Sequence, residues 1–123
     1  MSFKPDNFTV WAEIPVTDLD RAIAFYNKVF NTELKRCETG PNPMATFPTS
    51  NQEGVAGHLY PGKAASEGTG PTIHLASPDG LEDTLKRVKE AGGQVASDII
   101  SIPAGRFAYC LDPDQNSIGV FSR

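Results

Sequence analysis

Glu13 and His74 are acid–base candidates by residue type and by the position the repeat would give them. Glu13 lies in an alternating apolar stretch from Phe8 to Val16, and His74 lies in a second such stretch from Pro71 to Ala76. A histidine titrates near neutrality and a carboxylate can hold its tautomer, so the two can exchange a proton with a bound substrate. Otherwise both are solvated residues at an open rim. Along the first stretch, alternation assigns Val10, Ala12, Ile14 and Val16 to a covered face and Trp11, Glu13 and Pro15 to the opposite one. His58, in Ala56-Gly57-His58-Leu59-Tyr60, is either a further ligand-binding residue or a structural histidine. It faces away from Gly57 and Leu59, and alternation alone does not say which face meets a ligand. Trp11, Phe107, Tyr109 and Phe121 are the aromatic candidates, able to stack on a planar ligand or simply to fill the cavity. Arg106 follows Pro103-Ala104-Gly105 and either meets an anionic ligand or stays solvated. Cys37 is placed in a strand beside Arg36, and Cys110 is placed facing the core. Neither has a sequence-near histidine, and buried thiols are usually inert.

These residues need elements to hold them, and the chain supplies such elements twice. Asp18-Leu19-Asp20-Arg21-Ala22-Ile23 reappears 62 residues later as Gly80-Leu81-Glu82-Asp83-Thr84-Leu85. Each copy follows an alternating stretch and enters a helix. In the first helix Leu19, Ala22, Ile23, Tyr26, Val29 and Phe30 form one apolar face; in the second Leu81, Leu85, Val88 and Ala91 do so. Thr17 or Asp18 can cap the first helix and Asp79 is expected to cap the second. Asn31 and Gly92-Gly93 supply the stops. Each half then closes with short strands around a polar turn: Met44 to Pro48 with Val55 to Tyr60, and Arg106 to Leu111 with Ser117 to Phe121.

The expected fold is therefore α+β: two tandem βαβββ modules forming a cupped, eight-stranded mixed sheet. Module one covers about 8–60, a loop 61–70 follows, and module two covers about 71–122. The loop has no periodicity and is expected to be mobile unless a ligand pins it. The first strands of the two halves are expected side by side at the centre of the sheet. His74 then points the same way as Glu13, provided the extra residue of the second half sits in the Ser77-Pro78-Asp79 turn. The mouth of such a cup is a usual ligand site.

At 123 residues one domain is expected. A formal net charge of −4 argues against a nucleic-acid partner, which calls for clustered Lys and Arg. No apolar run approaches the ~18 residues of a membrane span, and the first residues lack the apolar stretch of a signal peptide. A cytoplasmic protein is the expectation. Cys37 and Cys110 stand 73 residues apart with no C-x-x-C spacing, which argues against a disulfide framework or a cysteine zinc site.

Two stretches, Glu13 to Tyr26 and Asp112-Pro113-Asp114-Gln115-Asn116-Ser117-Ile118-Gly119, resemble the vicinal oxygen chelate superfamily. This is the group of glyoxalase, bleomycin-resistance protein, fosfomycin-resistance enzymes and extradiol dioxygenases. In the second stretch Gln115 replaces the usual Gly of the family's turn. The resemblance covers about Phe8 to Phe121. It implies metal-ligand positions at Trp11, at Thr72 or Ile73, at Gly119, and on or next to Gly57. Trp and Gly side chains cannot ligate a divalent ion, so neither a metal nor another cofactor is expected.

The first reading is thus a small-molecule-binding protein of the glyoxalase/bleomycin-resistance type, with Glu13 and His74 as acid–base candidates if it is an enzyme. One alternative is a metal-dependent lyase, isomerase or dioxygenase with rearranged ligands, for which Glu13, His58 and His74 are the available types. Another is a non-catalytic protein that sequesters a cationic drug or metabolite in an acidic, aromatic cup. A homodimer is expected, because cupped sheets leave edges that a partner can cover and because the resemblance points the same way.

Overall fold

Module one runs β1 (Ala12–Val16), α1 (Leu19–Phe30), β2 (Lys35–Cys37), β3 (Met44–Thr46) and β4 (Gly57–Pro61). Module two runs β5 (Ile73–Ala76), α2 (Leu81–Glu90), β6 (Gln94–Val95), β7 (Ile100–Ile102), β8 (Gly105–Leu111) and β9 (Ser117–Ser122). The computed structural model describes residues 2–40, 42–51 and 53–123. The α+β architecture of two βαβββ modules is the one the repeat implies. The expected second strand of module two is broken into β6 and β7, both of which pair with β8.

The two modules form two sheets rather than one. Sheet order is β1-β4-β3-β2 in module one and β5-β9-β8-β6 in module two, with β7 also on β8. In each sheet the first strand pairs in parallel with the last. The expectation of β1 beside β5 at a sheet centre is therefore corrected: each is the edge strand of its own sheet. Sequence chemistry supports this. Pro15 has no N–H to offer a neighbouring strand, and proline is a usual guard of sheet edges. The Pro15 carbonyl instead accepts from Asn116 Nδ2 at 2.8 Å, so the turn of module two occupies part of that edge.

Alternation holds within β1, where Ile14 and Val16 are buried and Glu13 is exposed. It fails before β1. Val10, expected in the core, is 67% exposed. The ladder to β4 starts only at Ala12 opposite Gly57, so Val10 has no neighbouring strand to cover it.

Helix α1 buries Leu19, Ala22, Phe25, Tyr26, Val29 and Phe30, with Ile23 at the margin. Asp18 caps it by accepting from the Arg21 amide at 3.1 Å, and Asn31 ends it in the left-handed region at φ 49°. Helix α2 is built differently. Gly80 is its N-cap residue and no side chain caps it. The expected cap, Asp79, turns instead to Arg87 at 2.8 and 3.0 Å and to Thr84 Oγ1 at 2.8 Å. Two charge-assisted bonds to a guanidinium outweigh one bond to a backbone amide. Arg87 Nε also donates to the Val29 carbonyl at the end of α1, which ties the helices together. One buried cluster runs from Ile14, Val29 and Leu59 through Leu81 and Val88 to Ile118 and Val120, so the two modules share a core. Burial of each such side chain stabilises the fold by ~1.5–3 kcal/mol. Among the described residues no helix is long and apolar enough to cross a membrane.

Candidate functional site

On sheet one, the face away from α1 carries Glu13 and Pro15 on β1 opposite His58 and Tyr60 on β4. Leu59 points into the core, so His58 shares the face of Glu13. Trp11 Nε1 donates to His58 Nδ1 at 2.9 Å, and His58 Nε2 lies 3.3 Å from Glu13 Oε1. An indole nitrogen can only donate, so Nδ1 is an acceptor and the ring proton sits on Nε2, facing the carboxylate. The His58 side chain is 12% exposed, against 66% for Glu13. Tyr60 closes on the other side, with ring centroids 6.0 Å apart.

On sheet two, the corresponding face carries His74 opposite Gly119, with Tyr109 and the Phe107–Phe121 pair beyond. The His74 ring occupies the space above Gly119, where a Cβ would run into it. It meets Phe107 edge-on at 5.0 Å, with Tyr109 and Phe121 at 6.0 and 5.9 Å; Phe107 and Phe121 stack at 5.8 Å. Edge-to-face and offset packing are the favoured aromatic geometries.

Of the candidate site residues, Glu13 and His74 alone line the crevice between β1 and β5. Its larger compartment, about 450 Å³, is walled by Ala12, Ile14, Phe30, Phe47, Ile73 and Leu75, with His74 on its lining. Its smaller compartment, about 150 Å³, is lined by Glu13, Pro15, Thr69, Asn116 and Ile118. Ile14 and Ile73 line both, so they partition one crevice. The structure thus gathers Trp11, Glu13 and His58 into one cluster and His74, Phe107, Tyr109 and Phe121 into another. Among the described residues no hydrogen bond or ion pair links Glu13 to His74; they line different compartments. Arg106 lies on the helix side of its sheet, in a two-pronged pair with Glu82 at 3.0 and 3.2 Å, which holds that carboxyl below the usual range. It does not line the crevice.

Residue-type reasoning overlooked the role of the Asp112–Asn116 turn, although the motif itself was visible. Asp112, 3% exposed, takes the amides of Asp114 and Asn116 at 2.9 Å each and the Tyr26 hydroxyl at 2.7 Å. Burial, then the neighbouring Asp112 carboxylate, pushes the Tyr26 phenol well above its ordinary value. Asp114 accepts from the Thr17 amide at 3.1 Å, from the Thr17 hydroxyl and from Arg21 at 3.0 Å. The two stretches that carry the family resemblance therefore bind each other: the helix entry of module one docks on the last turn of module two. Gln115, at φ 68°, holds the linker: its Oε1 accepts from the Glu67 amide at 2.9 Å and its carbonyl from the Gly68 amide at 3.0 Å. The loop expected to await a ligand is already tied down, and its Ala65 and Thr69 roof the smaller compartment.

The positions the resemblance assigns to a metal do not fit one. Trp11 offers a donor already given to His58, Gly119 has no side chain and no room for one, and Thr72 Oγ1 is engaged with Ser117 Oγ at 2.5 Å. Among the described residues no three His, Cys, Asp or Glu side chains converge as a metal-binding group.

The sequence model of the Glyoxalase/Bleomycin resistance protein/Dioxygenase superfamily matches residues 9–120. A glyoxylase-like domain-containing protein from Didymella fabae is 25% identical over 119 residues, covering 90% of each chain. The structure of a hypothetical protein from S. aureus superposes with a TM-score of 0.68 at 20% identity, covering 92% of this chain and 95% of that one. A glyoxalase/bleomycin resistance protein from Albidiferax ferrireducens T118 gives a TM-score of 0.68 at 17% identity, with 95% and 99% covered. At these identities the structural likeness shows the fold.

Proposed function

Because the chain belongs to the Glyoxalase/Bleomycin resistance protein/Dioxygenase superfamily, we propose that it binds a small organic molecule in the crevice between its modules, without the divalent metal the family positions would hold. The carrying observation is that the first strands of both modules line one crevice, with an apolar compartment of about 450 Å³ next to a smaller one of about 150 Å³ bordered by Glu13. That size lies within the usual range of ligand pockets, which are mostly apolar with a few convergent polar groups. Glu13 is the proton acceptor of this reading if chemistry occurs, with His58 as its positioning residue. His74 is the second acid–base candidate, reaching the ligand from the larger compartment. Trp11 orients His58, and Phe107, Tyr109 and Phe121 pack around His74, without lining the crevice themselves.

A thermal-shift screen of small metabolites after elemental analysis tests this reading. Stabilisation by a neutral or charged metabolite is expected, with less than one Zn, Ni, Mn or Fe per chain. Narrowing the larger compartment with Ala76→Phe should cut that stabilisation. A tightly bound metal in stoichiometric amount, or ligand binding indifferent to Ala76→Phe, overturns it. The part-exposed aromatic side chains of Trp11 (46%) and Tyr109 (39%) support a homodimer as the working assembly. Sedimentation giving a monomer mass at micromolar concentration removes that part.

A further inference from the structure

We propose that the ligand of the larger compartment is uncharged and mostly hydrocarbon, and that it completes the core the two modules share. The inference rests on the crevice reading above and adds the chemical class of the ligand. Its first support is what the walls are made of. Ile14 and Phe30 of module one belong to the buried core cluster, and Phe47 of module one with Ile73 and Leu75 of module two pack against that cluster. The compartment is therefore an opening in the shared core, at the seam between β1 and β5. A hydrocarbon seated there leaves water and touches both modules, which is favourable in proportion to the apolar area covered. Water in the same place finds few polar partners.

The second support is charge. Among the described residues that line it there is no Asp, Glu, Lys or Arg. The polar side chains are Thr9, Thr32, Thr49 and His74, and Thr49 Oγ1 already donates to the Asn51 carbonyl at 2.7 Å. A charged ligand would leave water for a space with no side chain of fixed opposite charge to receive it, and an uncompensated buried charge is costly. The mouth is the third support. Val55 lines the compartment and is exposed, and Thr9, also on the lining, lies between Phe8 and Val10, both exposed. Exposed apolar side chains at and beside one opening mark a surface that meets an apolar partner. The volume of about 450 Å³ equals that of roughly fifteen waters at ~30 Å³ each, which is room for a two-ring aromatic molecule.

The test is a methyl-NMR titration of the full chain at neutral pH with ligands that share one ring system: 2-naphthol, which is neutral, 2-naphthoate and 2-naphthylmethylammonium. Saturable shifts of the Ile73 and Leu75 methyls are expected with 2-naphthol, at least tenfold tighter than with either charged analogue, together with a rise in Tm. Val55→Asp places a carboxylate at the exposed mouth, where the fold tolerates it, and should weaken 2-naphthol severalfold. Undiminished binding of 2-naphthol by Val55→Asp overturns the inference. Equal or tighter binding of 2-naphthoate or the ammonium, with the same methyls shifting, also overturns it and leaves the crevice reading standing. So do shifts confined to Ile118, which lines the smaller compartment and not the larger. If none of the ligands shifts any lining methyl, both readings fall.

Discussion

The two modules repeat a backbone and differ on the faces where chemistry is possible. In both, a helix covers one side of a sheet whose first strand pairs in parallel with its last. On the open side, Glu13 faces His58 across β1 and β4, while the matching pair across β5 and β9 is His74 and Gly119. Module one thus builds a polar chain from Trp11 through His58 to a carboxylate, whereas module two builds an aromatic box around one imidazole. Duplication preserved what the shared core requires and left the open faces free to diverge. The two open faces therefore differ in polarity, one built on a carboxylate and the other on aromatic rings.

The largest contrast expected between the modules is in their thiols. Cys37 is exposed on β2, and its hydrogen bond with Thr39 lowers its pKa; Cys110 lies buried in β8, where burial pushes its pKa up to about 11. Thiol-labelling kinetics at neutral pH should show Cys37 reacting at least about a thousandfold faster, since Cys110 reacts only when the core opens. Comparable rates would mean that module two opens locally and that the shared core is not one cooperative unit. The Cys110 effect also has a sign. A thiol held neutral in the fold stabilises it fully below the unfolded thiol pKa, and that contribution fades as pH rises toward 11.

Next come the two sides of β1. Ile14→Gln buries an amide among Val16, Leu59 and the helices and should cost about 3 kcal/mol in a chemical melt. Glu13→Gln should change stability by less than about 0.5 kcal/mol. The reverse order would invert the strand register and dissolve the polar chain of module one.

A smaller effect sharpens the contrast between the two cross-strand pairs. Gly119→Ala drives a methyl group into the His74 ring and should cost about 1–2 kcal/mol as the ring swings off the sheet. The His74 ring signals should move with it. Unchanged His74 signals would show that the ring does not rest on Gly119.

The helix entries differ least. Asp18→Ala removes a side-chain cap and should cost about 1 kcal/mol, measured by the same melts. In module two the Asp79 carboxyl is held low by Arg87, then Thr84, and Glu82 is held low by Arg106. Carboxyls depressed in the fold stabilise it above their unfolded pKa and lose that contribution as pH falls through the folded value. Asp79→Asn with Glu82→Gln should therefore flatten the decline in stability below about pH 4. An unchanged acid limb would place the acid-sensitive carboxyls outside these two ion pairs.

Much of this molecule follows from sequence pattern, because helices and duplicated strands depend on periodicities that neighbouring residues state locally. The faces of α1 and α2, the burial of Ile14 and Val16, the inward Cys110 and the turn at Asp112 are all of that kind. Alternation also placed Trp11 and Glu13 together, since residues i and i+2 of an extended chain share a side. What tertiary structure decided are pairings between distant segments. His58 became the partner of Glu13 because β4, not β5, forms the ladder with β1, and no local pattern states which strand is the neighbour. Asp79 left its helix end because Arg87 offered two stronger bonds. The Asp112–Asn116 turn looked like a simple reversal until its carboxylates met Tyr26, Thr17 and Arg21 about 90 residues away. Such contacts depend on how whole modules dock, which is a property of the shared core rather than of any one stretch of chain.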